Sequence, residues 1–585
     1  MTLFNPITST IPLSKRPVDG GWLALLVSLL ILFDDVIRSG WDKALVDILD
    51  GRLMLVLWEH WFLVAQGAVN WDSPGFFFPA TSVLGFTDTF LLNGAVYSVF
   101  RFAGLDPVSS MTSVFVLLAS VGFIGFFYLA TRLGVSRGFA IFFSMLFLVG
   151  APIQTAIANS HIQVLNIWLL VWVVLWIVDS LDAFDHGQQY RAWGRMCAAI
   201  VLYSLIAIST FYVAWFFLFV FALGLLLFSL VNIRQFLPGV TWAWDRRGLW
   251  VIALATGIPF FALFLKIYLP ARNMSGGWEY AAAVTSLPQV FNLGTSSRFN
   301  IFWHDWIGFS SATTSQELYY GFPWVFLGMF LLACLWSLFR WVRQPNREAG
   351  LLALLSGVVL LGWLLLLKVG DFGLWRWIMN VVPGAEAIRA VYRINVIYYT
   401  LALFIVARMA TEMAMQVNLR RGLPLLGSML LGGLLLLESW HIDYPYRHTR
   451  SAEVDFQAKL QQPGFDMSAF WAYREREEHW DLAASRFNSN EVQLLAMRAS
   501  QTLGIPTING VSGLSPSGWQ LGAHAARGFS FTPVAGWLFR NDFDGPVGIL
   551  AVDSGQWVAG PADPQTLVAE ELGDFPGQNL ATDQD

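Results

Sequence analysis

Residues 212–232 read Tyr212-Val-Ala-Trp-Phe-Phe-Leu-Phe-Val-Phe-Ala-Leu-Gly-Leu-Leu-Leu-Phe-Ser-Leu-Val-Asn232, with no charged side chain anywhere in the run. In hydrocarbon a helix satisfies every backbone amide internally, and roughly 20 apolar residues span the ~30 Å core of a bilayer. Comparable runs lie at 20–38, 109–131, 138–152, 164–180, 196–210, 249–268, 322–341, 350–369, 394–414 and 423–440. The run 138–152 is short and Phe-rich, which leaves its depth open. The whole chain agrees: 585 residues are 56% hydrophobic and 13% charged. A soluble domain carries about 25% charged residues, so this chain cannot cover a water-facing surface of its size. The expectation is an all-α polytopic membrane protein with about 11 transmembrane helices.

The same composition excludes other classes. A net charge of -5 leaves no basic face for nucleic acid. Cys197 and Cys334 each sit in an apolar run and read as small buried hydrophobes, with neither a disulfide nor a metal implied. The first apolar run ends in Asp34 and Asp35 instead of a small-residue cleavage site, so no cleavable signal peptide is read.

Short loops rich in Lys and Arg stay in the cytoplasm. Lys15 and Arg16, Arg132 and Arg137, Arg191 and Arg195, Arg234, Arg246 and Arg247, Arg340, Arg343 and Arg347, and Arg420 and Arg421 can all be cytoplasmic together. The condition is that the apolar stretch 82–104 does not cross fully. The N-terminus is then cytoplasmic, and loops 39–108, 152–163, 269–321 and 370–393 face outward with Asp, Glu, His, Trp and Asn. The expected organisation is a transmembrane domain over 1–440, with first outer loop 39–108, and a soluble extracytoplasmic α+β domain over 441–585. Alternating stretches such as Val547 to Val552 read as strands in that tail.

Three outer constellations carry candidate chemistry. The first loop reads Asp50-Gly-Arg-Leu-Met-Leu-Val-Leu-Trp-Glu59-His60-Trp61, then Trp71-Asp-Ser-Pro-Gly-Phe-Phe-Phe-Pro79, then Gly85-Phe-Thr-Asp88. On one straight helix Asp50 and Glu59 point to opposite faces, because nine positions turn about 900°. Asp50 is the preferred catalytic carboxylate, with a helix N-cap as its competing role. Glu59 and His60 read as braces of the loop or as substrate-orienting groups. Asp34 and Asp35 are the rival acids; Asp34 and Arg38, spaced i, i+4, also suit a simple ion pair. The second constellation is Asn159-Ser-His161-Ile-Gln163, where His161 suits a hydrogen bond to phosphate or sugar, or a cap. The third is Pro383-Gly-Ala-Glu386-Ala-Ile-Arg389-Ala-Val-Tyr-Arg393. On a helix Arg389 and Arg393 share a face and can grip one anion, whereas interfacial snorkelling is the competing reading. Glu317, in Gln316-Glu-Leu-Tyr-Tyr-Gly321, is a further orienting candidate; Lys266, His304 and Asp305 are weaker ones.

The first-loop motif, the Pro…Arg…Arg segment and the order of spans resemble the GT-C superfamily of membrane glycosyltransferases. The similarity is to a bacterial set with a D-G-R-F…L-E-H loop and an F-F-Y-P…G-F-S-D-T continuation; Leu53 and Trp58 depart from it here. The resemblance runs from the first span to about residue 410, with a weaker echo in Thr507-Ile-Asn-Gly-Val-Ser-Gly-Leu-Ser-Pro516. It implies a GT-C fold in a bacterial cytoplasmic membrane. It also implies transfer of a sugar from a polyprenyl-phosphate donor to a glycan, lipid or protein acceptor on the outer face. Asp50 would be the base, Arg389, Arg393 and His161 would hold the donor phosphate, and Glu317, Glu59, His60, Asp88 and Gln163 would orient substrate. The family's second acidic motif is missing around His161, so a divalent metal is left open and no other cofactor is implied. A lipid-linked glycan transporter and a non-catalytic scaffold of envelope assembly are the alternatives from other classes. A phosphate-binding Gly-rich loop, His-Glu-x-x-His and a Gly-x-Ser-x-Gly elbow do not occur, which excludes the machines that need them.

Overall fold

The computed structural model describes residues 20–231, 236–296, 300, 303, 316–417, 423–441, 447–474, 482–522, 524 and 531–560. Among these residues nine helices are long and apolar enough to cross a bilayer: Pro107–Arg132, Arg137–Ala158, Ile162–Asp185, Gln189–Ser209, Phe211–Val231, Arg247–Ser275, Trp324–Arg343, Arg347–Leu366 and Val391–Gln416. Two apolar helices, Gly21–Leu32 and Leu426–Leu437, are shorter. The protein is therefore a largely helical, multi-span membrane protein. The expected first span 20–38 is broken at Phe33, after which Asp34–Arg38 forms a separate five-residue helix. The Phe-rich run at 138–152 is longer than it reads. Its helix Arg137–Val149 pauses at Gly150 (ψ 153°) and resumes as Ala151–Ala158, with Pro152 in the first turn where its missing N–H costs no helix bond. In the stretch 82–104 the helix is Leu91–Phe102, twelve residues long.

Two compact units are present. One comprises Met1–Val46, Thr112–Phe264 and Gly277–Arg447; the other comprises Asp47–Met111, Leu265–Gly276 and His448–Asp585. In the first unit apolar helices pack closely where glycine permits: a Cβ on Gly122 would lie 2.6 Å from the Cβ of Trp168. At the helix ends that carry the Arg-rich loops, acids neutralise the arginines. Arg132 meets Asp179 at 3.2 Å and Asp182 at 2.8 Å, Arg340 pairs with Glu412, and Arg408 pairs with Glu348 and Glu412.

The second unit has a three-stranded sheet. Ala469–Tyr473 runs parallel to Val547–Ala551, which runs antiparallel to Gln556–Ala559. Helices Leu482–Leu503 and Thr532–Arg540 contribute to a core that includes Phe470, Trp471, Val534 and Ile549. Past the edge of Ala469–Tyr473 two irregular segments add backbone hydrogen bonds. Ile508 N–H donates to the Phe470 carbonyl at 2.8 Å, and Phe77 and Phe78 N–H donate to the carbonyls of Asn509 and Thr507 at 2.9 and 3.0 Å. The first-loop residues 75–78 are thus part of the same folded body as the tail. Within it, helix Asp50–Ala65 packs on Leu91–Phe102, and Gly94 leaves room for the Trp61 ring, whose Cδ1 would lie 2.4 Å from a Cβ there.

Candidate functional site

The first unit brings His161, Glu317, Arg389 and Arg393 into one cluster, from three separate loop segments of the sequence. Glu317 sits in the 3-10 turn Gln316–Tyr319, and the carbonyl of Tyr319 accepts Thr155 Oγ1–H at 3.0 Å. Arg393 lies in the 3-10 turn Val391–Ile394 that leads into helix Asn395–Val417. His161 lies between Ala151–Ala158 and the 3-10 turn Ile162–Asn166, which also carries Gln163.

The helical face expected for Arg389 and Arg393 does not form. Arg389 precedes the turn, and its carbonyl, which a helix would offer to the amide of Arg393, accepts Ser286 Oγ–H at 2.6 Å. The same Ser286 oxygen accepts Val391 N–H at 3.0 Å, so one side chain fixes the bend. Both guanidinium groups nevertheless reach the same carboxylate. Arg393 donates from Nε to Glu317 Oε2 at 2.8 Å and from Nη2 to Oε1 at 2.5 Å. This is a fork-to-fork pair, the strongest geometry available to Arg and a carboxylate. Arg389 Nη2 is 4.0 Å from Glu317 Oε1, with its side chain 49% exposed.

Aromatic groups hold the two cations differently. The Arg389 guanidinium lies over the Trp278 ring at 5.5 Å, and the Trp278 amide donates to the Glu386 carbonyl at 2.7 Å. The Arg393 guanidinium lies over the Tyr212 ring at 5.7 Å, while the Tyr212 hydroxyl oxygen accepts Arg389 N–H at 3.1 Å. Tyr212, Trp278, Ser286 and Tyr320 were not singled out by sequence reasoning. Tyr320 lies inside the quoted Gln316 to Gly321 motif and Tyr212 opens a span at its predicted outer end, so their positions were visible though their roles were not.

His161 Nδ1 is 2.8 Å from Tyr320 Oη, and the two rings stack at 6.0 Å with 15° between their planes. Its Nε2 is 3.7 Å from Glu317 Oε1. Burial, then the positive charge of Arg393, lowers His161 to about 3, against the opposing pull of Glu317. It is therefore neutral at pH 7, and the 3.7 Å approach is not an ion pair. A proton on Nε2 lets Nδ1 accept the Tyr320 hydroxyl. For Glu317, burial pushes upward, but the charge of Arg393, helped by its hydrogen bonds and by Arg389, holds the carboxyl down to about 2. At neutral pH the cluster thus holds two guanidinium cations and one carboxylate, with Arg389 the more exposed cation.

Asp50, Glu59, His60 and Asp88 belong to the second unit. The N-cap role weighed for Asp50 is taken by another acid: Asp47 Oδ1 accepts the amides of Leu49 and Gly51 at 3.0 and 2.9 Å, and Asp50 is the first residue of its helix, exposed. Glu59 is buried, accepts Tyr97 Oη–H, and takes Nε and Nη2 of Arg101, each at 3.0 Å. His60 Nε2 contacts the Trp71 carbonyl at 2.9 Å, and burial lowers its pKa. Asp88 follows the 3-10 turn Val83–Phe86 and is half-buried. Lys266 lies 5.0 Å from the centroid of the Trp71 ring. Of the rival acids in the first unit, Asp34 pairs with Arg38 at 2.6 Å and Asp35 with Lys43 at 2.8 Å. His304 and Asp305 lie outside the described residues. Among the described residues no three of His, Cys, Asp and Glu gather to hold a metal ion.

No family model and no curated protein matches this chain. Solved structures do. The chain is similar to the oligosaccharyltransferase AglB of Archaeoglobus fulgidus, solved with an inhibitory peptide and a dolichol-phosphate, at 11% identity and a TM-score of 0.46, over 91% of this chain and 69% of that one. A second structure of that oligosaccharyltransferase, in complex with Zn and sulfate, is similar at 11% identity and a TM-score of 0.42, over 90% and 67%. ArnT of Cupriavidus metallidurans, bound to undecaprenyl phosphate, is similar at 14% identity and a TM-score of 0.43, over 92% and 94%.

Proposed function

We propose that the protein is a GT-C-type membrane glycosyltransferase that moves a sugar from a polyprenyl-phosphate donor to a glycan, lipid or protein acceptor. The proposed setting is the outer face of a bacterial cytoplasmic membrane, with the N-terminus in the cytoplasm and the tail 441–585 outside. The observation that carries this reading is the half-exposed Arg389 beside the buried Arg393–Glu317 pair, held by Trp278 and by the hydroxyl of Tyr212.

In the reaction, the acceptor oxygen bonds to the anomeric carbon while the bond from that carbon to the phosphate oxygen breaks. The acceptor's proton passes to a base, for which Asp50 is proposed. The phosphate leaves with one more negative charge than it had as a diester. A cation already fixed at that point offsets the new charge without rearranging during the reaction, which is how electrostatic preorganisation lowers a barrier. Arg389 fits that role. Arg393 is matched by Glu317 and keeps the Arg389 backbone and side chain in register through Tyr212 and the shared carboxylate. His161, neutral and bonded to Tyr320, supplies an uncharged hydrogen-bonding edge to the same cluster. A divalent metal remains an open part of the proposal.

The test compares cells carrying the native protein, Asp50→Asn or Arg389→Ala, with membrane insertion checked, by mass analysis of surface glycans and lipid intermediates. Loss of one glycan product with accumulation of its polyprenyl-phosphate donor is expected for both variants. Unchanged glycans in both, at native protein levels, would refute the reading.

A further inference from the structure

Glu438 follows the helix Leu423–Leu437 and is fully buried. Among the described residues no Lys or Arg pairs with it, and its hydrogen-bond partners are N–H donors. Oε1 accepts the Phe326 amide at 2.8 Å; Oε2 accepts the Val325 amide at 2.9 Å and Trp303 Nε1–H at 3.3 Å. Its backbone carbonyl accepts Asn300 Nδ2–H at 2.6 Å. Val325 and Phe326 stand in the first turn of Trp324–Arg343, whose unpaired amides and partial positive charge favour a carboxylate. Asn300 and Trp303 precede Glu317 and Tyr320 in the chain, and Val325 and Phe326 follow them. One residue thus holds the chain on both sides of the segment that presents Glu317 to Arg393 and Tyr320 to His161.

We propose that Glu438 is a positioning residue for the candidate site, fixing the Glu317–Tyr320 segment by gripping Trp303 on one side and the start of Trp324–Arg343 on the other. The grip itself stands on the hydrogen bonds above; its consequence for ligand binding rests on the reading of the cluster as a phosphate site. Among the described residues Tyr399, from Asn395–Val417, is a titratable group that faces Glu438.

The experiment is hydrogen exchange of the full chain in nanodiscs, read on peptides covering 316–326, with undecaprenyl phosphate binding measured in parallel. Glu438→Ala is expected to speed exchange there at least tenfold, leave peptides from 211–231 unchanged and weaken binding at least fivefold. Glu438→Gln, with one acceptor oxygen for three N–H donors, is expected to speed exchange there less than Glu438→Ala. Unchanged exchange in Glu438→Ala overturns the proposal. So does native binding despite faster exchange. Should Glu438→Ala not fold, Trp303→Phe decides: losing one donor to the carboxylate is expected to speed exchange over 316–326 about threefold, and unchanged exchange overturns the grip. Native protein that binds no undecaprenyl phosphate refutes the phosphate reading, while the exchange measurements still decide the role of Glu438.

Discussion

The guanidinium of Arg393 grips the carboxylate of Glu317 through two hydrogen bonds, 2.8 and 2.5 Å long, across 76 positions of chain. Both side chains are buried, so each charge depends on the other for its solvation. Arg389, 4.0 Å from the same carboxylate, keeps an exposed flank. The two arginines, equivalent in sequence, therefore differ: one is bound into the fold, and the other keeps an exposed face that the proposed function assigns to the donor phosphate.

That difference is measurable. Arg393→Ala leaves a buried carboxylate without its partner and is expected to cost about 3–5 kcal/mol of stability. Arg389→Ala, at a half-exposed site, is expected to change stability by about 0.5 kcal/mol or less. Thermal unfolding in detergent separates them, and equal losses would contradict the assignment of roles.

Acid acts on the same cluster through His161. Its folded pKa of about 3 lies below the ordinary 6.5, so its neutral form is the one the fold buries. The stability this gives is complete above about pH 6.5 and is lost as pH falls toward 3. Glu317, held to about 2, keeps its contribution until pH falls below the ordinary carboxylate range. Between pH 6.5 and 4.5 the native protein should therefore lose stability more steeply than His161→Gln. Parallel unfolding curves for the two across that window would refute this.

In the second unit, the buried Glu59 carboxylate is shared by Tyr97 and Arg101. Glu59→Leu alone strands a guanidinium, at an expected cost of about 3 kcal/mol. Adding Arg101→Leu should recover part of it, with a coupling of about 1–3 kcal/mol in a double-mutant cycle. Additive losses would mean the pair is not a brace.

The start of helix Asp50–Ala65 gives a fourth measurement. Asp47→Ala removes the acceptor for the amides of Leu49 and Gly51 and should cost about 1 kcal/mol. Asp50→Asn should cost clearly less while abolishing transfer. A stability loss in Asp50→Asn equal to that in Asp47→Ala would return Asp50 to a capping role.

Much of this was legible because hydrophobic run length reports directly on lipid crossing: the runs at 109–131, 212–232 and 350–369 correspond to helices Pro107–Arg132, Phe211–Val231 and Arg347–Leu366. The break at Phe33 was hidden, since Phe is apolar whether or not it is helical. Arg389 and Arg393 were read as one helical face because i, i+4 spacing assumes continuous helix; the hydroxyl of Ser286, 103 positions away, is what interrupts it. Spacing along a chain carries no record of such a distant donor. The amides of Leu49 and Gly51 at this helix start are taken by Asp47, three residues upstream of the Asp50 considered for the cap.

The hydrogen bonds from Phe77 and Phe78 to Asn509 and Thr507 bear on how the protein is made. Residues 75–78 leave the ribosome more than four hundred residues before their partners, roughly 20–90 s earlier at common synthesis rates. For that interval Phe77 and Phe78 wait with backbone amides unmatched. A gene truncated before codon 507 would leave them so permanently, and its product would be expected to fall to quality-control proteases even with its apolar helices inserted.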